Sequence, residues 1–259
     1  MKNLIPKFIL KKHTEGLTSG DFTAAAMFID ISGFTAMTQS LMKNGKEGAE
    51  ILTSVINDVF TPSIDAIYNF GGFISTFAGD AFTAVFPQNH ELALNSAVAI
   101  NKIFQEIGTR KTKFGNYDLS VKVGLSAGNV NWGIIAGEHL CSYYIRGEAV
   151  DAASKSEHHC QTGEIIADAA FLKLELADAK FTKRDESHYK FVSSPAERSK
   201  KQTEAEEAGT DFDIAPFVPQ DILKLKIQGE FRDVISCFIS FRDEVNLEEN
   251  ISHILNLTH

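Results

Sequence analysis

Two aspartates, Asp30 and Asp80, have sequence surroundings that would bring their carboxylates together in a folded chain. Asp30 is the only charged residue in the apolar run 24–31, and Asp80 follows a glycine between two further apolar runs. Two ionised carboxylates at close range repel one another, and a divalent cation relieves that repulsion. Ligand sets made only of oxygen suit Mg²⁺ or Mn²⁺. The pair therefore predicts a site for divalent metal ions.

The residues after Asp30 predict a place for a negatively charged group. A turn that contains a glycine follows the apolar run and leads into a helical pattern, so backbone N–H groups at the helix N-terminus can face phosphate oxygens. Each motif also has an ordinary explanation, because an Asp-x-Ser segment can cap a helix and a Gly-Asp pair can form a simple turn. Their joint occurrence favours function. The residues predicted to bind phosphate are Ser32, Gly33, Phe34 and Thr35.

Hydrophobic periodicity predicts the elements that position these residues. In chain order they are a strand at 24–31, a helix at 47–70, strands at 73–78 and 81–87, a helix at 91–107, strands at 120–127 and 142–146, and a helix from Glu148. The order βαββαβ predicts an α+β fold, a ferredoxin-like core with a mixed sheet flanked by helices. Gly79-Asp80 then forms a hairpin tip. Since neighbouring strands lie under about 5 Å apart, this tip approaches Asp30.

Composition and charge exclude several classes of function. The chain of 259 residues has a formal net charge of −9, which argues against general binding of nucleic acid or anionic membranes. No run of about 18 apolar residues occurs, which predicts no membrane span and a cytoplasmic location. Three scattered cysteines suggest neither a disulfide scaffold nor a zinc site. His158 and His159 are interpreted as surface or cap residues rather than ligands.

The C-terminal part contains an echo of the N-terminus. Residues 5–11 (IPKFILK) recur as 218–224 (VPQDILK), and aligning the strands that follow puts Ser240 at the position of Asp30. Short matches of this kind also arise by chance. The predicted domains are an N-terminal lead-in at 1–20, a main domain at 21–195, a polar linker at 196–216, and the start of a truncated second repeat at 217–259.

Four segments resemble the signatures of class III adenylyl and guanylyl cyclases. They are FIDISGFT at 28–35, FAGDA at 77–81, VGLSAG at 123–128 and GEAVDAASK at 147–155. The resemblance covers roughly residues 20–195 and is nearest to the first catalytic domain of bicarbonate-responsive soluble adenylyl cyclases. It implies cyclisation of a nucleoside triphosphate, with two Mg²⁺ or Mn²⁺ ions held by Asp30, Asp80 and the Ile31 carbonyl.

Three positions depart from the family pattern. Active members carry asparagine and arginine where this chain has Asp151 and Lys155, and lysine at the adenine-selecting position that is Thr76 here. The resemblance therefore implies the metal-binding half of a paired site, weak without a second cyclase domain in cis or in a homo- or heterodimer. ATP is the favoured substrate. A catalytically inactive module that binds nucleotide and metal is the alternative, and a palm-type polymerase or diguanylate cyclase ranks last.

Overall fold

The computed structural model describes residues 5–87, 90–173, 176, 178–194, 212–223 and 251. Its helices are α1 (Lys7–Thr14), α2 (Phe34–Met42), α3 (Gly45–Asn69), α4 (His90–Ile107), α5 (Glu148–His158), α6 (Ala169–Leu172) and α7 (Gln220–Leu223), with a 3₁₀ turn at Ala215–Phe217. Its strands are β1 (Ser19–Ser32), β2 (Phe73–Ala78), β3 (Ala81–Phe86), β4 (Thr109–Thr112), β5 (Gly115–Asp118), β6 (Ser120–Ala136), β7 (Cys141–Arg146), β8 (Ile165–Asp168), β9 (Lys180–Lys183) and β10 (His188–Ser193).

The strands form one large mixed sheet in the order β2-β3-β1-β6-β8-β10-β9, with β7 paired to β6 and with β4 and β5 in a separate hairpin. β1 runs antiparallel to β3, whereas β6 runs parallel to β8. Helix α3 connects β1 to β2, and α4 connects β3 toward β6. The predicted α+β fold with a βαββαβ core is confirmed.

The chain divides into two compact units, the larger made of residues 21–131 and 145–209. Its core lies on one face of the sheet, where Met27, Ile29 and Ile31 of β1 pack with the buried stripes of helices α2, α3 and α4. Side chains alternate between the two faces of a strand. Asp30 therefore lies on the face opposite this core.

Helix α5 packs on the face of the sheet that carries Asp30. Gly124 of β6 stands between the core residues Val123 and Leu125, so its missing side chain would point to the other face. A Cβ atom there would lie 2.1 Å from the carbonyl oxygen of Ala153 on α5. The glycine therefore permits a close helix–sheet approach that any other residue would prevent.

The smaller unit comprises residues 1–20, 132–144 and 210–259. In its described part the ring of Phe8 meets Trp132 edge to face, with centroids 5.7 Å apart. The two copies of the sequence echo also begin alike. The Pro6 carbonyl accepts hydrogen bonds from the N–H groups three and four residues later, and the Pro219 carbonyl does the same.

The predicted linker and second repeat fall mainly outside the described residues. Of the linker at 196–216 only 212–216 is described, and of the repeat at 217–259 only 217–223 and residue 251. The four predicted domain boundaries therefore stay predictions. Among the described residues, no helix is long and apolar enough to cross a membrane.

Candidate active site

The fold brings Asp30 and Asp80 together at one end of β1. Asp30 is paired in register with Ala81, the first residue of β3, and Asp80 immediately precedes Ala81 in the chain. The side chain of Asp30 is 30% exposed. The two carboxylates come from separate parts of the sequence and lie close together at a partly exposed position in the larger unit.

Asp80 is held in place by helix α2. It follows Gly79, whose φ of 67° lies in the left-handed region that glycine adopts without strain, and this gives the tight β2–β3 turn. The Thr35 hydroxyl donates a hydrogen bond to Oδ2 of Asp80 across 2.8 Å. Because one carboxylate oxygen is anchored in this way, the other keeps its lone pairs for a further ligand.

The nearby positive charge does not fully offset the effects of burial and of Asp80 on Asp30. Burial raises the pKa of Asp30, the negative charge of Asp80 raises it further, and the nearby Lys122 ammonium lowers it in part. Lys122 Nζ lies 4.0 Å from Oδ2 of Asp30 and 3.5 Å from Oε1 of Glu157. The lysine is therefore shared between two carboxylates. A cation beside Asp30 and Asp80 would relieve the remaining repulsion.

The turn after Asp30 leads directly into the N-terminus of α2. Gly33 precedes this helix with a φ of 88°, and a Cβ atom there would lie 2.4 Å from the Asp118 carbonyl oxygen. The Met37 N–H donates to the Gly33 carbonyl, so the N–H groups of residues 34–36 have no acceptor within the helix. Free N–H groups at a helix N-terminus attract phosphate oxygens.

The predicted phosphate-binding residues thus stand beside the aspartate pair, and Thr35 links the two features through its bond to Asp80. This arrangement was expected from the order of strand, turn and helix. The hydrogen bond itself was not, because the sequence does not show that the α2 N-terminus and the hairpin tip are in contact. The phosphate and metal roles of these residues stay predictions.

An open cavity of about 610 Å³ borders Asp80 on its α2 and α3 side. The rings of Phe34, Phe60 and Phe77 line it together with polar side chains. Phe77 is 52% exposed. An aromatic ring left half open beside a polar site indicates a surface that a ligand or a second protein domain can cover.

The three departing positions lie on β2 and α5. Thr76 is exposed on β2, and Asp151 and Lys155 are exposed one helical turn apart on α5. Lys155 lines a second cavity, of about 430 Å³, between α5 and the β8–α6 segment.

Sequence reasoning missed Lys122 and Glu157 as neighbours of Asp30. Glu157 is 7% exposed and Lys122 is the cation that offsets its charge. Alternation with the buried Val121 and Val123 would have turned Lys122 away from the core. Only the strand order, which places β6 beside β1, brings it to Asp30.

Comparison with known proteins identifies the family of this chain. A profile of the adenylate and guanylate cyclase catalytic domain matches residues 21–204. Adenylate cyclase type 10 of Oryctolagus cuniculus is 32% identical over 151 residues, which make up 56% of this chain and 9% of that protein. An adenylate cyclase of Anabaena cylindrica is 30% identical over 162 residues, which make up 58% of this chain and 31% of that protein. The chain thus spans a small part of the curated relatives it matches.

The fold is that of solved cyclases. The crystal structure of the adenylyl cyclase CyaB from P. aeruginosa superposes with a TM-score of 0.56 at 21% sequence identity, covering 71% of this chain and 100% of that one. Since the family profile covers more than half of the 259 residues and starts in the strand that carries Asp30, the chain belongs to the adenylate and guanylate cyclase catalytic-domain family.

Proposed function

We propose that this chain supplies the metal-binding half of a paired nucleotide cyclase site that converts ATP to cyclic AMP and pyrophosphate. The observation that carries the proposal is the juxtaposition of Asp30 with Asp80, the latter fixed by Thr35 at the N-terminus of α2. The similarity to proteins named adenylate cyclase favours ATP. The cytoplasm, where ATP is available, is the proposed location.

The residues present fit a pair of divalent cations. Asp30 and Asp80 offer only oxygen donors, and burial together with the negative charge of Asp80 raises the pKa of Asp30. Together with the Ile31 carbonyl they would hold two Mg²⁺ or Mn²⁺ ions. When bound, such ions neutralise a triphosphate and lower the pKa of a ribose hydroxyl.

The reaction needs a bond from the ribose 3′-oxygen to the α-phosphorus and the loss of pyrophosphate. The 3′-hydroxyl gives up its proton to solvent as the new bond forms, and the bond between the α-phosphorus and the bridging oxygen breaks. In this chain the N–H groups of residues 34–36 would bind the phosphate oxygens, and Thr35 would keep Asp80 in position. Lys122 would limit the negative charge around Asp30.

A second domain would complete the site. Cyclase domains work as dimers or paired domains, and the positions that orient ribose and stabilise the transition state in active members are here Asp151 and Lys155. Asp151 adds negative charge, and an ammonium lacks the two-pronged donor geometry of a guanidinium. The half-exposed Phe77 beside the hairpin gives the partner an apolar surface to cover.

The second candidate function is a regulatory module that binds nucleotide and metal without turnover. The exposed carboxylate of Asp151, at the position where active members carry asparagine, favours it. This candidate predicts metal-dependent ATP binding that persists in every pairing while cyclic product stays absent.

A complementation experiment separates the two candidates. The first protein is the unaltered chain, and the second is the same chain with Asp30→Asn and Asp80→Asn to remove the metal pair, and with Thr76→Lys, Asp151→Asn and Lys155→Arg. With Mn²⁺, we expect the mixture to form cyclic AMP from ATP faster than cyclic GMP from GTP, and either protein alone to form little of either product. Metal-dependent ATP binding without product in any combination would favour the regulatory module, and absence of both binding and product would contradict both candidates.

A further inference from the structure

A cluster of two histidines and one aspartate lies away from the aspartate pair, in the larger unit. His159 is the C-cap of helix α5, Asp185 lies in the turn that joins β9 to β10, and His188 is the first residue of β10. His159 Nδ1 lies 2.9 Å from Oδ2 of Asp185, and His188 Nδ1 lies 3.0 Å from Oδ1. The two imidazole rings stack with centroids 3.8 Å apart. Both rings thus direct a nitrogen at one carboxylate.

The spacing of these atoms suits a transition metal. The donor atoms of the three residues all lie within 4.8 Å of one another. Around a tetrahedral Zn²⁺ with bonds near 2.0–2.1 Å, ligand atoms lie about 3.3 Å apart, so small side-chain movements would convert the observed contacts into a coordination shell. Imidazole nitrogens select Zn²⁺ over Mg²⁺ or Ca²⁺, which prefer oxygen.

The carboxylate is already oriented by its own turn. Oδ1 of Asp185 accepts hydrogen bonds from the backbone N–H groups of Ser187 and His188, each 2.9 Å long. These two donors fix the orientation of the carboxylate. Fixed outer hydrogen bonds of this kind hold metal ligands in place.

A fourth coordination position has room beside the cluster. The cavity of about 430 Å³ on the α5 side is lined by His158, His159, Ser187 and His188. The side chain of His159 is 43% exposed and that of His188 is 13% exposed. A metal ion can therefore reach the cluster from solvent, and water can fill the open position.

We propose that His159, Asp185 and His188 form a Zn²⁺ site that fastens the end of helix α5 to the β9–β10 turn. The site is chemically distinct from the oxygen-only pair Asp30–Asp80 and does not depend on cyclase activity. It also revises the interpretation of His159 from sequence. This residue does cap α5, as expected, but its ring reaches a carboxylate and a second imidazole that lie 26 and 29 residues further along the chain.

The test uses the full chain without an affinity tag, stripped of metal with a chelator. Zinc binding is measured by calorimetry and by competition with a chromophoric zinc indicator in the Asp30→Asn, Asp80→Asn background, so the other site does not contribute. We expect one Zn²⁺ per chain, with affinity at least about 100-fold weaker after either His159→Ala or His188→Ala. The matched control is His139→Ala, an exposed histidine between β6 and β7, which should bind Zn²⁺ normally.

A second readout keeps the test decisive if a variant is unstable. In the same Asp30→Asn, Asp80→Asn background, Zn²⁺ should raise the thermal midpoint of the parent protein and of His139→Ala, and leave that of His159→Ala unchanged. Mg²⁺ should not produce the shift. The proposal is overturned if the chain fails to bind Zn²⁺, or if His159→Ala and His188→Ala bind it as tightly as the His139→Ala control.

Discussion

The Asp30–Asp80 pair and the exposed face of α5 differ in how firmly their charged side chains are held. Asp80 is tied to Thr35 at 2.8 Å, and Asp30 is partly buried between Asp80 and Lys122. Asp151 and Lys155 are exposed to solvent on a helix surface. A charge that is partly buried near a like charge disfavours folding, whereas an exposed charge changes stability little.

This difference fits the proposal that the chain supplies the metal-binding half of a paired site. Charged groups with perturbed pKa values concentrate at functional sites. Asp151 and Lys155 on α5 carry no such electrostatic cost. Residues other than asparagine and arginine can therefore occupy these positions if a partner domain supplies those two groups. The comparison therefore supports a divided active site, and changes at each region should have very different effects.

The largest effect is expected from Asp80→Asn in the metal-binding half. An amide keeps the shape of the side chain but removes the negative charge that a divalent cation needs. In the complementation mixture, cyclic AMP formation should fall at least about 100-fold, measured as initial rate with Mn²⁺. Asp65→Asn, an exposed aspartate on α3, is the matched control and should leave the rate unchanged. Equal rates for the two variants would remove Asp80 from the site.

A smaller loss is expected from Thr35→Ala. This change removes the donor that anchors Oδ2 of Asp80, and loss of such an outer hydrogen bond weakens metal binding about 10-fold. Thr35→Ser keeps the hydroxyl and should bind Mn²⁺ nearly as the unaltered chain does, by calorimetry. If Thr35→Ser and Thr35→Ala bind Mn²⁺ equally well, the hydrogen bond does not orient Asp80 for the metal.

A gain of activity is expected from changes at the two exposed positions on α5. With Asp151→Asn and Lys155→Arg together, a homodimer would carry both the metal pair and the groups that active members place on this helix. Cyclic AMP formation by this variant alone should rise several-fold over the unaltered chain, because a guanidinium can donate two parallel hydrogen bonds to phosphate. The single change Lys155→Gln is the control. A double variant no more active than this control would show that α5 is not part of the site.

The sequence predicted the regular parts of this fold closely. β2, β3 and α4 begin and end within about a residue of the predicted bounds, because Gly-Asp turn chemistry and a clear helical period mark their ends. β6 was predicted to stop at residue 127 and instead runs to Ala136. Gly128, Asn129 and Asn131 interrupt the apolar pattern there without interrupting the strand. The hairpin β9–β10, with its short and polar strands, was not predicted.

The candidate sites also differ in how much of their geometry the sequence predicts. The approach of Asp80 to Asp30 followed from a local hairpin beside a central strand, which periodicity can reveal. The position of Lys122 required knowledge of strand order. The histidine cluster joins His159 to Asp185 and His188 through tertiary packing alone, and no spacing in the sequence marks it as one group. Contacts within the β2–β3 hairpin and its neighbouring strand could be predicted from the sequence. Contacts between elements that are far apart in the sequence could not.

The smallest expected effect concerns stability. Burial and Asp80 raise the pKa of Asp30, so the ionised form is less favourable in the folded chain than in the unfolded one. The stability associated with a protonated Asp30 is therefore present at acidic pH and is lost as the pH rises through the raised pKa. Without metal, Asp30→Asn should raise the thermal midpoint by a few degrees at neutral pH, and the difference should shrink toward about pH 4.

Added Mn²⁺ should reverse the order of stability at neutral pH, because the ion binds the unaltered chain and stabilises only that protein. Asp21→Asn, an exposed aspartate on the same strand, is the control and should change the midpoint little under either condition. An Asp30→Asn variant that is less stable than the unaltered chain without metal would mean that Lys122 outweighs burial and Asp80. Asp30 would then be an ordinary ion-paired residue, and the contrast with α5 would lose its physical basis.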